Sequence, residues 1–177
     1  MRLSTVGRYA LRAMVDLALH EQDGPVQRQR IVARQDISSH YLAHLFVKLR
    51  QAGLVASVMG PGGGYRLARS AADITAGDVL RAVEERLEPV FCLEPTPETA
   101  CPRADICATR HLWARLGEHV MDLLDSVTLA ELCTQARDLA GEERSRVEHA
   151  GAKASGRRPE RRRRQFSSGV FIDGAGI

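Results

Sequence analysis

Five residues, Gly60-Pro61-Gly62-Gly63-Gly64, stand between two short alternating runs, Leu54-Val55-Ala56-Ser57-Val58 and Tyr65-Arg66-Leu67. Alternation on both sides of a glycine-proline turn predicts a β-hairpin. What comes before it is helical in pattern. Gly24-Pro25 predicts a turn, and a short polar helix carrying Ile31 and Val32 is expected to end near Asp36. Ile37-Ser38-Ser39 then supplies a hydrophobic residue and candidate caps, and Tyr41, Leu42, Leu45, Phe46 and Leu49 recur at three- and four-residue spacing. Two helices joined by a short turn and followed at once by a hairpin give the outline of a helix-turn-helix with a wing. The fold expected is mainly α, a winged helix-turn-helix with a long C-terminal dimerisation helix. An amphipathic helix pair alone has the same outline without binding DNA, and four glycines also suit an ordinary flexible turn. The glycine tip has a further use, because without Cβ atoms it can approach a phosphate backbone closely. Tyr65 reads as a packing residue.

The remaining elements follow from the same rules. Ser4 or Thr5 caps a first helix whose apolar positions, Val6, Ala10, Ala13, Met14, Leu17 and Ala18, keep the helical period to about His20. Thr75-Ala76-Gly77-Asp78 has the form of a capping box and precedes a helix with Val79, Leu80 and Val83 on one side, which Pro89 stops. A long helix runs to about Val127, bearing Leu112, Leu116, Val120, Leu123 and Leu124 in a stripe with Trp113 alongside. So long a stripe after an irregular loop suggests an identical helix in a second subunit; packing within its own domain is the alternative. Thr128 to Glu131 is another capping box and opens a short last helix, in which Cys133 is expected to be a small core residue. The expected organisation is therefore a DNA-binding domain over 1–87, a cysteine loop over 88–108, the dimerisation and last helices over 109–140, and a disordered basic tail over 141–177 that includes Arg161 to Arg164.

Charge separates these parts. Residues 1–70 carry ten arginines and lysines against four acids, residues 71–140 six against thirteen, and residues 141–177 nine against five, net charges of +6, −7 and +4. A polyanion such as DNA would meet the front of the chain. No apolar run is long enough to span a membrane, and the N-terminal stretch, with Arg8, Arg12 and Asp16, does not read as a signal peptide. A cytoplasmic protein is expected. In a reducing compartment its four cysteines point to metal or redox chemistry rather than to a disulfide frame.

Three of those cysteines lie close together. Cys92, Cys101, Cys107 and His111 form a C-x8-C-x5-C-x3-H pattern among Pro95, Pro97 and Pro102. Proline removes amide donors and stiffens an irregular backbone. Three soft sulfurs and an imidazole on such a loop suit an iron-sulfur cluster or zinc. Structural zinc more often shows tighter cysteine pairs, and three unligated or redox-paired thiols remain the other reading. No motif sets a nucleophile beside a base, so an enzyme is not expected.

Met1-Arg-Leu-Ser-Thr-Val-Gly-Arg-Tyr-Ala10, Ser39-His-Tyr-Leu42, Gly60-Pro-Gly-Gly-Gly-Tyr65, the three cysteines and Leu124-Asp-Ser-Val-Thr-Leu129 occur in that order. Together they resemble the redox-sensing winged-helix regulators, a family that includes IscR, NsrR and CymR, with the likeness strongest to IscR-like members and extending over residues 1 to about 135. The resemblance implies a homodimer on double-stranded operator DNA. It also implies a 2Fe-2S cluster, favoured over 4Fe-4S, on Cys92, Cys101 and Cys107, with His111 as fourth ligand. Base edges are then expected to meet Ser39, His40, Ala43 and His44; phosphates and sugars are expected to meet Arg2, Arg8, Lys48, Arg50 and the wing glycines. Ser38, Ser57, Met59, Gly60, Pro61, Gly62 and Gly63 complete that surface. The sequence departs from the pattern in its cysteine spacing, in Arg8 where NsrR-like members have a carboxylate ligand, and in Met59 where a basic wing residue is common. A cluster-free thiol or zinc repressor, and a regulator that binds a partner enzyme of sulfur or cluster metabolism, are the other readings.

Overall fold

The computed structural model describes residues 3–85, 87, 89–93 and 101–155. Arg2 and the Arg161 to Arg164 run lie outside them. One compact unit extends to Asp138 and a second begins at Leu139. The elements, in order, are α1 (Thr5–His20), α2 (Arg28–Gln35), α3 (Ser39–Gln51), β1 (Val55–Val58), β2 (Gly64–Leu67), α4 (Ala76–Ala82), α5 (Ala108–Ser126) and α6 (Leu129–Ser155). Strands β1 and β2 pair antiparallel, with Val55 opposite Leu67 and Val58 opposite Gly64.

The core belongs to the winged helix. Ala10, Ala13, Met14 and Leu17 of α1, Ile31 of α2, Leu42, Phe46 and Leu49 of α3, and Val79 of α4 are closed to solvent, joined by Leu54 and Val55 from the hairpin. Each large side chain so buried contributes about 1.5–3 kcal/mol. Leu129 and Cys133 of α6 complete the core from the far end of the chain. Burial raises the Cys133 thiol pKa, and its sulfur sits 3.8 Å from the Val15 carbonyl oxygen, as a small core residue.

The caps are those the sequence predicts. Ser4 and Ser38 accept from the N–H groups of Gly7 and Tyr41, and Thr75 with Asp78 forms a reciprocal capping box. Thr128 and Glu131 make another at the start of α6. Asp36 ends α2 in the left-handed conformation, φ 52°. One boundary differs: α6 does not stop near residue 140 but continues to Ser155. Glutamate, arginine and alanine, good helix formers, are frequent over that extension.

A single buried charge fixes the helix-turn-helix to its support. Asp16, 3% exposed, accepts two hydrogen bonds from Arg34 at 2.8 and 2.7 Å and one from Gln35 at 3.0 Å. Arg12 returns the contact by donating to the Gln35 carbonyl at 2.7 Å. These bonds cross from α1 to the last turn of α2, just before the chain turns into α3. Asp16→Ala would strand the Arg34 guanidinium and the Gln35 amide. Because Arg34 reaches solvent, the cost is about 2–3 kcal/mol rather than the larger loss of a wholly buried pair. Thermal denaturation is expected to show a fall in Tm of roughly 5–10 °C.

Candidate nucleic-acid interface and cysteine site

Helix α3 buries one face and shows the other. With Leu42, Leu45, Phe46 and Leu49 turned inward, Ser38, Ser39, His40, His44 and Arg50 are exposed, while Ala43 and Lys48 are half-buried. The His40 and His44 rings meet edge to face with centroids 4.5 Å apart, their Nε2 atoms separated by 3.1 Å. Lys48 is not free: its ammonium is ion-paired with Glu84. That pairing holds the Glu84 carboxyl below its ordinary pKa. Arg8 is exposed on α1, its guanidinium 3.5 Å from the Thr5 hydroxyl.

The wing stands beside this surface. Ser57, Met59, Gly60, Pro61 and Gly62 are exposed, Met59 at 95%, and Gly63 is half-buried. Gly62 has φ +82°, and a Cβ on Gly63 would lie 2.3 Å from the Val58 carbonyl oxygen, so the turn requires glycine at both. Tyr65 packs on Phe46, ring centroids 4.4 Å apart, as expected of a packing residue. Its backbone exchanges hydrogen bonds with Val26 at 2.8 and 2.9 Å, which docks the root of the wing against the chain entering α2.

Between the wing and the start of α2 lies an open crevice of about 440 Å³, bordered by Gln27, Arg28, Gln29, Ser57 and Val58. The Arg28 Nε–H is buried without an acceptor among the described residues. Gln27, Arg28 and Gln29 escaped the sequence reading, since nothing in the helical period of α2 says that its first turn faces the hairpin. The bridge from Val26 to Tyr65 brings them there.

Cys92 and Cys107 lie by the beginning of α5. Cys92 lies in a single 3-10 turn, Phe91–Leu93, and Cys107 occupies the N-cap of α5; Cys92, Cys101 and Cys107 are all free thiols and half-buried. The Thr109 hydroxyl lies 3.2 Å from the Cys107 sulfur. That contact, followed by the Arg110 backbone N–H and helped by the Arg110 charge, holds the Cys107 thiol below its ordinary pKa. Arg110 also donates from Nε to the Cys92 carbonyl at 3.4 Å, so it touches both cysteine segments. The C-x8-C-x5-C-x3-H pattern leaves Arg110 among its unspecified positions.

His111 is exposed and borders a cavity of about 350 Å³ with Leu87, Pro89, Leu93, Arg110 and Met121. Among the described residues, no three histidine, cysteine or acidic side chains converge as a metal-holding group. The structure thus brings Cys92 and Cys107 to the same end of α5 but does not gather Cys92, Cys101, Cys107 and His111 about one centre. The donor set still suits soft metal chemistry: three uncommitted sulfurs, one of them biased towards thiolate. Along α5 itself no residue is fully buried. Leu112, Leu116 and Leu123 are 57%, 44% and 63% exposed, whereas Trp113, Val120 and Leu124 are half-buried.

Two adjacent acids just beyond α4 reach α3 and α1. Glu84, in the left-handed conformation with φ 58°, pairs with Lys48 on α3. Glu85 accepts from the Ser4 N–H at 2.7 Å, the Gly7 N–H at 3.1 Å and the Ser4 hydroxyl, at the first turn of α1. Burial works to raise the Glu85 pKa, but these donors outweigh it and hold the carboxyl below its ordinary range. On the other side, Arg81 of α4 grips Asp125 of α5 at 3.0 and 2.7 Å.

A family model described as Rrf2, iron-dependent transcriptional regulator, matches residues 3–135. The HTH-type transcriptional regulator IscR of Yersinia enterocolitica is 48% identical over 132 residues, covering 75% of this chain and 79% of that protein. Among solved structures, CymR, the global cysteine regulator of B. subtilis, aligns with TM-score 0.63 and 38% identity over 76% of this chain and 98% of its own. IscR of T. potens aligns with TM-score 0.62 and 37% identity, covering 77% and 88%.

Releasing Lys48 is the direct test of the α3 electrostatics. Glu84→Gln is expected to raise affinity for duplex DNA at low salt by up to about tenfold and to steepen the dependence of log K on log salt by about 0.9. An unchanged slope would mean that Lys48 does not reach a phosphate.

Proposed function

Because this chain belongs to the Rrf2 family and is a DNA-binding transcriptional regulator rather than an enzyme, we propose that it represses transcription as a homodimer whose operator binding is set by an iron-sulfur cluster. Cys92, Cys101 and Cys107 are its proposed protein ligands, with His111 as the fourth and 2Fe-2S as the cluster type. The observation that carries this reading is the presence of three free, half-buried thiols, two of them at the start of α5, where Arg110 links the Cys107 end to the Cys92 carbonyl. When bound, such a cluster supplies a redox-sensitive anionic centre next to the helix that faces the second subunit.

The chain's own residues do the rest. The Thr109 hydroxyl and the Arg110 N–H hold the Cys107 thiol below its ordinary pKa, and Arg110 keeps Cys92 against the helix that Cys107 caps. Any shift of the segment after α4 loads Glu84 and Glu85, which hold Lys48 of the recognition helix and the first turn of α1. In the proposed mechanism the order of the cysteine segment therefore decides whether Lys48 is held by Glu84 or offered to a phosphate. Base edges would be met by Ser39, His40, Ala43 and His44, with Ser38 nearby. Arg8, Arg50, Arg28 and the wing from Ser57 through Met59, Gly60, Pro61, Gly62 and Gly63 would lie along the backbone. Exposed Met59 offers no charge to a minor groove, so the wing contributes close approach rather than a basic side chain.

The homodimer part rests on α5. A 19-residue helix with no fully buried residue and a stripe of exposed leucines needs a cover, and an identical helix supplies one of matching length and pattern. No helix among the described residues is long and apolar enough to cross a membrane.

Protein purified without oxygen is expected to be coloured and to contain iron and acid-labile sulfide. Cys92→Ala, Cys101→Ala and Cys107→Ala should each lose the visible absorbance, while Cys133→Ala should keep it. Colour retained in the first three removes the ligand assignment; colourless wild type that still binds its operator points to the thiol or zinc reading. Leu116→Glu is expected to weaken dimerisation at least tenfold by light scattering after gel filtration, and an unchanged dimer would place the interface elsewhere.

A further inference from the structure

The His40 and His44 pair has a use that base recognition alone does not explain. The two residues lie four apart on α3, a spacing that stacks side chains on one helix face. Both are exposed, and their Nε2 atoms, the outermost ring nitrogens, converge to 3.1 Å. An imidazole nitrogen that carries no hydrogen offers one lone pair, so two Nε2 atoms this close can serve one ion. Metal–imidazole bonds are about 2.0–2.1 Å, and two of them meeting between roughly 90° and 109° span about 2.9–3.3 Å. The observed separation falls inside that interval. No ion pair involves either imidazole among the described residues: Lys48, one turn on, is taken by Glu84.

We propose that His40 and His44 form a two-point site for an imidazole-preferring divalent first-row metal ion, and that its occupancy competes with DNA for the recognition helix. Two protein ligands leave the remaining coordination positions to water, so the site is a reversible one that samples available metal rather than a structural centre. Among common divalent ions, nickel, copper and zinc would bind and magnesium and calcium would not, because the latter take oxygen ligands. A bound ion would occupy both Nε2 atoms, add two positive charges with their waters at the centre of the DNA-facing surface, and withdraw both rings from base edges. The site is separate from Cys92, Cys101 and Cys107. The competition half of the proposal rests on α3 being the recognition helix; the metal-binding half does not.

The experiment uses the full-length protein, purified without oxygen, and Ni²⁺ as a probe that is not reduced by thiols. Calorimetric titration in the absence of DNA is expected to show a site that weakens at least tenfold in His40→Gln and equally in His44→Gln, with His119→Gln as wild type. Both substitutions are at exposed helical positions and place a better helix former there. Ni²⁺ affinity unchanged in either variant would overturn the metal site. In the second arm, saturating Ni²⁺ should weaken operator binding by the wild type at least tenfold, while each glutamine variant keeps whatever operator affinity it has with or without Ni²⁺. If the metal binds through both histidines and operator affinity does not move, competition is refuted. If metal-free wild type shows no preference for operator over unrelated duplex, the recognition-helix assignment fails while the first arm still decides the site.

Discussion

Glu85 closes the first turn of α1 from 78 to 81 residues away, and the arrangement of the DNA-facing half depends on that carboxylate. A helix start leaves unpaired N–H groups, and here Ser4 supplies one acceptor while Glu85 supplies two more. Gly7 makes room for the contact: a Cβ there would come within 2.8 Å of the Glu85 carboxylate and 2.9 Å of Leu80. The same few residues therefore fix where α1 begins, how closely α4 lies against it, and where the chain must be when it leaves for the cysteines. Asp16 does the corresponding task at the other end of α1 by holding α2.

Between these two anchors the molecule separates charge and then reconnects it at a few places. Residues 1–70 carry a net charge of +6 and residues 71–140 one of −7. Glu84 crosses from the second group to the first. It holds Lys48 with a non-glycine backbone in the left-handed region, a conformation that costs about a kcal/mol and persists where surrounding contacts impose it. On the opposite side of α4, Arg81 and Asp125 hold α5. Helix α4, only seven residues long, thus packs against both α3 and α5, the helix that carries Cys107 at its cap. Arg81 in its last turn holds the C-terminal end of α5, and Glu84 just beyond that turn holds α3.

Much of this architecture can be read from the sequence because it depends on local rules. Caps at Ser4, Ser38, Thr75 and Thr128 and the apolar periods of α1, α3 and α5 set the elements, and the glycine run sets the wing. The length of α6 was not legible from apolar content, since propensity extends it. At the DNA-facing surface, the outward residues of α3 follow from its buried stripe, but Arg28 depends on a backbone bridge between Val26 and Tyr65 that no pattern announces. Long-range polar contacts were the hardest to foresee. Nothing within residues 81–90 indicates that Glu84 meets Lys48, that Glu85 meets Ser4, or that Arg110 meets the Cys92 carbonyl, because each pairs positions 18 to 81 residues apart.

The account turns on Glu84 and Glu85 carrying the state of the cysteine segment to the DNA-facing helices. Hydrogen–deuterium exchange on one preparation, with its iron and sulfide intact and then stripped by a chelator, measures that directly. The account predicts altered protection at Ser4 and Gly7, whose amides Glu85 accepts, and over α3, in addition to changes over 87–111. Changes confined to 87–111, with α1 and α3 exchanging identically in both states, would contradict it.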